Sequence, residues 1–99
     1  MDWDDVRVFL AVARAGRVAA AARQLGVEHS TVARRIAAFE RELGAALFYR
    51  TAGGYQLTGE GETVLVGAEA MERGAQRVGA GLREQSGTLV GRVRLAMLD

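Results

Sequence analysis

All thirteen basic side chains of this sequence are arginine, and seven of them fall between residues 14 and 50 against three acids, Glu28, Glu40 and Glu42. A guanidinium presents a planar fork of donors that fits a guanine edge or a pair of phosphate oxygens, so the placement of these arginines decides what they can grip. From residue 59 to 99 the balance reverses to five arginines against six acids. The net charge of +1 does not point to a polyanionic partner by itself. An arginine excess of this size describes a solvated face as well as a binding face, and only position separates the two.

From His29 onward Val32, Ile36, Phe39 and Leu43 follow steps of four, three and four, one stripe of a helix. At about 100° per residue, Ser30, Arg34, Ala37 or Ala38, and Arg41 lie opposite that stripe. The outward face begins with hydrogen-bonding groups, is small in its middle and carries no acid between Ser30 and Phe39, so it fits a major groove without obstruction. Arg34 can pair bidentately with a guanine edge, while His29, Ser30, Thr31 and Arg35 can reach bases or phosphates. Arg17, at the positive start of the preceding helix, and Arg50, in the segment that follows, are candidates for backbone phosphates, and Thr51 beside Arg50 is a further DNA-binding candidate. Arg41, flanked by Glu40 and Glu42, is expected in a surface ion pair and not on a base.

Other chemistries find little support. With no Cys, disulfides, thiol catalysis, Cys-based zinc sites and iron–sulfur ligation are excluded. There is one His, no Gly-rich phosphate loop after a strand, and Glu40 and Glu42 sit two apart on a helix and point away from each other. No enzyme activity, cofactor or metal is expected. The 99 residues, 49% hydrophobic and 25% charged, suit one ordinary folded domain burying about 60–70% of its unfolded surface. The opening is acidic where a secretory signal is basic, and no stretch approaches the roughly 18 apolar residues of a membrane span, so a soluble, cytoplasmic protein is expected.

With no Pro in the chain, Gly supplies the punctuation. Asp2 and Asp5 mark the start of a first helix, carried by Trp3, Val6, Phe9, Leu10 and Ala13 and stopped by Gly16. An Ala-rich second helix over residues 19–25 ends at Gly26, and the third spans residues 29–43 up to Gly44. The three-residue link of Gly26, Val27 and Glu28 forces a steep crossing, as in a helix-turn-helix. An ordinary helical hairpin needs the same small Ala22 and the same Gly, but the face bearing Ser30 and Arg34 favours the helix-turn-helix. Residues 47–58 read as two short strands around a Gly-containing turn. Thr58 caps a long fourth helix reaching about Gln85, with Glu60 and Glu62 in its first turn. After Ser86-Gly87, residues 91–98 alternate as a strand would, without a partner strand in this chain.

The sequence resembles the N-terminal winged helix-turn-helix of the LysR-type transcriptional regulators, from residue 3 to about 98. The resemblance rests on Phe9 with Val12-Ala13, Gly16, Ala21-Ala22, Leu25, Val27, Ser30, Val32, Arg34, Ile36, Glu40, Leu43-Gly44, Leu47-Phe48-x-Arg50 and Leu57-Thr58-x-x-Gly61. It implies a dimeric bacterial regulator of double-stranded DNA, with the third helix in the major groove and the wing on the backbone or minor groove. The family usually carries Ser at the positions of Glu28 and Ala33, Gln at those of His29 and Arg35, and Ser or Thr at that of Arg17. The folding positions are kept while several readout positions differ, so the family's base-reading Gln does not carry over. Glu28 should weaken nonspecific binding slightly unless Arg17 or Arg35 neutralises it.

Val64, Ala68, Met71, Ala75, Val78 and Leu82 step by four and three as a seam of three heptads, with Gly67, Gly74 and Gly81 beside it. The expected partner is a second copy of the helix, and the resemblance implies an antiparallel pair; the other reading packs the stripe on the chain's own first helix. The fold expected is thus mainly α: a winged helix-turn-helix over residues 1–58, a linker and dimerisation helix over 59–86, and over 87–99 the stub of the first strand of a missing effector-binding domain. The function expected is sequence-specific binding of an interrupted-palindrome operator by a dimer, with a full-length parent that is a dimer or tetramer. A small-molecule effector is expected only for the missing domain. The alternative is an effector-less DNA-binding or dimerisation module that modulates another regulator.

Overall fold

The computed structural model describes the backbone of residues 1–98 and the side chains of residues 1–85. The elements run α1 (Trp3–Ala15), α2 (Val18–Leu25), α3 (His29–Leu43), β1 (Phe48–Thr51), β2 (Gly54–Leu57) and α4 (Gly59–Leu98). The chain divides into two compact units, Met1–Glu69 and Ala70–Asp99.

In the first unit, local chemistry sets the helix ends. The Asp5 amide donates to the Asp2 carboxylate at 3.0 Å and the Asp2 amide to the Asp5 carboxylate at 3.1 Å, closing a reciprocal box at the start of α1. Between α2 and α3, Gly26 adopts φ 70°, a left-handed conformation that Gly takes without a Cβ penalty, and the Val27 amide then reaches the Ala22 carbonyl at 3.0 Å. Ala22 is buried beneath this turn. The Thr58 hydroxyl accepts from the Gly61 amide at 3.0 Å as the cap of α4, and donates to the Ala46 carbonyl at 2.6 Å. A Cβ at Gly61 would collide with the Leu47 carbonyl oxygen, so a small residue is required where α4 leaves the wing.

The core is built from Val6, Val8, Phe9, Leu10 and Val12 of α1, Ala21 and Ala22 of α2, Val32, Ile36 and Phe39 of α3, Leu47, Phe48 and Ala68. Its aromatic spine runs from Phe39 through Phe9, edge-on at 6.1 Å, to Phe48 at 5.3 Å. Leu43, expected on the buried stripe, is 40% exposed. The chain turns back at Gly44, and Leu47 enters the core instead. Glu40 secures that reversal: its carboxylate accepts from the amides of Leu47 at 2.7 Å and Phe48 at 3.3 Å.

β1 and β2 form an antiparallel hairpin in the register Phe48↔Leu57, Tyr49↔Gln56, Arg50↔Tyr55, Thr51↔Gly54. This is the wing read from residues 47–58. Its return strand is pinned to the end of α1 by the Tyr55 amide, which donates to the Gly16 carbonyl at 2.8 Å. The approach is close enough that a Cβ at Gly54, whose φ is 126°, would strike that same oxygen.

Two boundaries differ from expectation. The first compact unit takes in the beginning of α4, because Ala68 is buried in its core and Val64 and Leu65 pack against it. The α4 backbone runs to Leu98, so the break after Ser86-Gly87 and the strand over 91–98 give way to helix. A strand without a neighbour leaves its N–H and C=O groups without a ladder, whereas a helix satisfies them within the segment. The side chains over 87–99, the segment read as the stub of a further domain, lie outside the described residues.

Candidate nucleic-acid interface

The expected binding residues sort themselves by the face of α3 they occupy. Ser30 and Arg34 are exposed opposite the buried Val32, Ile36 and Phe39. Arg34 reaches back to the Thr31 hydroxyl at 3.4 Å, a long contact that leaves most of its donor fork free. Thr31 itself is half-buried. On the flank toward the wing, His29, Ser30 and Ala33 line a groove completed by Val18 of α2 and by Arg50 and Tyr55 of the hairpin. The start of the third helix, the start of the second and the wing therefore converge on one surface.

Arg35 stands apart from that surface. It lines a different groove with Asp4, Arg7, Val8, Leu25, Val27 and Val32, on the side of α3 that faces α1. One residue along a helix turns the side chain by about 100°, which carries Arg35 from the outward face to this flank. Arg7 is itself engaged with Asp4 at 2.9 Å.

Arg17 is the N-cap residue of α2 and makes no side-chain cap bond. Its stem lies beside the wing turn, with Cγ 3.3 Å from where a Cβ on Gly54 would stand. Arg50 holds its guanidinium carbon 5.0 Å from the centre of the Tyr55 ring, a cation–π contact. The Thr51 hydroxyl accepts from the Gly53 amide at 3.2 Å and donates to the Gly54 carbonyl at 3.3 Å, so it closes the turn that carries the wing tip. That task was not legible in its spacing.

The acids are distributed differently from expectation. Glu28, at the N-cap of α3, makes no side-chain cap bond, and among the described residues neither Arg17 nor Arg35 forms an ion pair with it. The expected ion pair of Arg41 is not formed among the described residues either. Glu40 is committed to the Leu47 and Phe48 amides, and Glu42 accepts from the terminal ammonium of Met1. Arg41 instead borders a shallow surface depression with Ala37, Gly44 and Ala45.

Sequence reasoning missed Tyr55 and the tie made by Glu40. Tyr55 was findable, because a two-residue turn after Thr51 places it directly across from Arg50. The tie from Glu40 to residues seven and eight positions ahead has no periodic signature.

The expected dimerisation seam divides between the two units. In the first, Val64 is half-buried and Ala68 is 4% exposed, both spent on the chain's own core, while a Cβ at Gly67 would meet open space. In the second, Met71 is 42%, Val78 65% and Leu82 59% exposed, with Ala75 exposed and the Cβ directions of Gly74 and Gly81 open. Among the described residues no group of His, Asp and Glu could hold a metal ion, and no helix is long and apolar enough to cross a membrane.

Residues 3–62 match the model of the bacterial regulatory helix-turn-helix proteins of the lysR family. The HTH-type transcriptional regulator ClcR of Pseudomonas putida is 41% identical over 71 residues, which cover 72% of this chain and 24% of ClcR. The HTH-type transcriptional regulator TfdT of Cupriavidus pinatubonensis is 37% identical over 93 residues, 90% of this chain and 41% of TfdT. The chain thus spans about a quarter to two fifths of the length of these relatives. Among solved structures, the CbnR DBD–DNA complex superposes with a TM-score of 0.77 at 35% identity, covering 87% of this chain and 99% of that one. Helix order, hairpin, buried pattern and sequence agree in one assignment: the chain belongs to the LysR family of bacterial regulatory helix-turn-helix proteins, as its winged helix-turn-helix segment.

Proposed function

We propose that this chain is the DNA-binding part of a LysR-type transcriptional regulator and that it binds an interrupted-palindrome operator as a homodimer. The observation that carries this reading is the convergence of His29 and Ser30 of α3, the start of α2 and Arg50 of the wing on one groove, beside the exposed fork of Arg34. An α-helix with small residues mid-face enters a major groove, and a wing set beside its first turn meets the flanking backbone or minor groove. Arg34 and Ser30 then read base edges, with His29 at the groove's rim. Arg17 and Arg50 take phosphates, and Arg35, turned toward α1, grips the opposite backbone strand and reads no base. Binding, not catalysis, is the activity, exercised in the bacterial cytoplasm on the nucleoid.

Dimerisation falls to Met71, Ala75, Val78 and Leu82, whose exposed apolar stripe suits a second helix, with Gly74 and Gly81 allowing close approach. Residues 87–99 lead into an effector-binding domain, the place of any small-molecule control. The names of the relatives, transcriptional regulators of which this chain matches a part, support the same role.

The test is selection of bound sequences from random duplex DNA, followed by titration of the best and a scrambled site across a salt series. Enrichment of two related half-sites is expected. Salt-sensitive binding with no enriched sequence overturns the assignment of base reading to α3.

A further inference from the structure

We infer that Tyr55 is a positioning residue for DNA binding: its ring holds the Arg50 guanidinium at the groove beside His29 and Ser30, charged and already aimed. The inference rests on the DNA-binding reading above and adds a residue to it. Arg50 and Tyr55 stand directly opposite each other across the hairpin. The Tyr55 amide points away from β1, to the Gly16 carbonyl at 2.8 Å, as in the non-hydrogen-bonded type of antiparallel pair, in which facing side chains come closest. The ring is fixed from behind, edge-on to Phe48 at 5.7 Å, and Phe48 packs on the fully buried Phe9 at 5.3 Å. A rigid core contact thus extends through two rings to the exposed guanidinium, 5.0 Å above the Tyr55 centroid.

The choice of an aromatic over an acid has a physical consequence. A carboxylate opposite Arg50 would order the side chain but neutralise the charge a phosphate needs. The face of a ring orders it and leaves the full positive charge and all five donors for the ligand. Arg50 forms no ion pair among the described residues. Ordering a long side chain before binding lowers the entropy lost on binding, which raises affinity without adding a contact. Tyr55 does this from a half-buried position.

The experiment is a set of anisotropy titrations of a mixed-sequence duplex across a salt series, with the wild type, Tyr55→Phe, Tyr55→Leu, Arg50→Ala and the double variant Tyr55→Leu/Arg50→Ala, each also melted. Tyr55→Leu is expected to weaken binding about two- to five-fold, the size of an exposed cation–π contact. Tyr55→Phe, which keeps the ring face, should bind like the wild type, and in the Arg50→Ala background Tyr55→Leu should change nothing further. Arg50→Ala should lower the salt slope by about one phosphate contact. If Arg50→Ala weakens binding while Tyr55→Leu binds like the wild type, the positioning role is wrong and the DNA-binding reading stands. Equal losses from Tyr55→Leu in both backgrounds mean that it acts through wing folding, which also overturns the inference. A wild type that binds no duplex at any salt overturns the DNA-binding reading, and this inference with it.

Discussion

Replacing Glu40 by Ala should destabilise the fold by about 2–3 kcal/mol, more than an ordinary half-buried surface carboxylate contributes. The magnitude follows from its two acceptor bonds. The bond from the Leu47 amide is short, 2.7 Å, and charge-assisted, while that from Phe48 is stretched to 3.3 Å. A hydrogen bond to a charged group contributes roughly 1.5–3 kcal/mol, and the long second bond adds a fraction of that. Removing the carboxylate also strands the amide of a residue whose side chain is fully buried, so little of the loss is recovered from water. Glu40→Gln keeps a neutral acceptor in place and should cost about 1 kcal/mol. In a thermal melt the Ala variant should fall by roughly 10–20 °C, and urea titration should lower the midpoint with an unchanged slope. If the Ala and Gln variants both melt within about 0.5 kcal/mol of the wild type, Glu40 does not hold the chain reversal together.

Three further outcomes can be checked. Gly61→Ala should destabilise the first unit by about 1–3 kcal/mol despite the better helix propensity of Ala, because its Cβ meets the Leu47 carbonyl; an equal or higher melting temperature would show that the α4 start can shift. Arg34→Ala should cost about 1–3 kcal/mol of DNA affinity and relax selection at one base pair, whereas Arg35→Ala should weaken all sequences alike and reduce the salt slope; identical selection profiles for the two would refute their division. Val78→Glu with Leu82→Glu should give monomers in sedimentation without altering the melting of the Met1–Glu69 unit, and an unchanged dimer would remove that stripe from the interface.

Much of the architecture was legible along the chain because it is decided by neighbours in sequence. The Asp2–Asp5 box, the stops at Gly16, Gly26 and Gly44, the cap at Thr58 and the hairpin after Leu47 depend on local dihedrals and on groups within a few residues of one another. The outward placement of Ser30 and Arg34 followed equally from helical period. Periodicity gives the direction of an apolar stripe, but not where the packing beneath it ends. Hence Leu43 is exposed while Leu47 enters the core, and Ala68, set in the same heptad series as Leu82, is enclosed by its own chain. Nor does spacing say which element faces each flank of a helix, so the arrival of Arg35 beside Asp4 and Arg7, and of His29 beside Arg50, awaited the packing of α1 and the wing. Helix ends and strand turns are settled by short-range energies that any stretch of chain carries with it, whereas burial and the meeting of distant side chains exist only once the elements have packed.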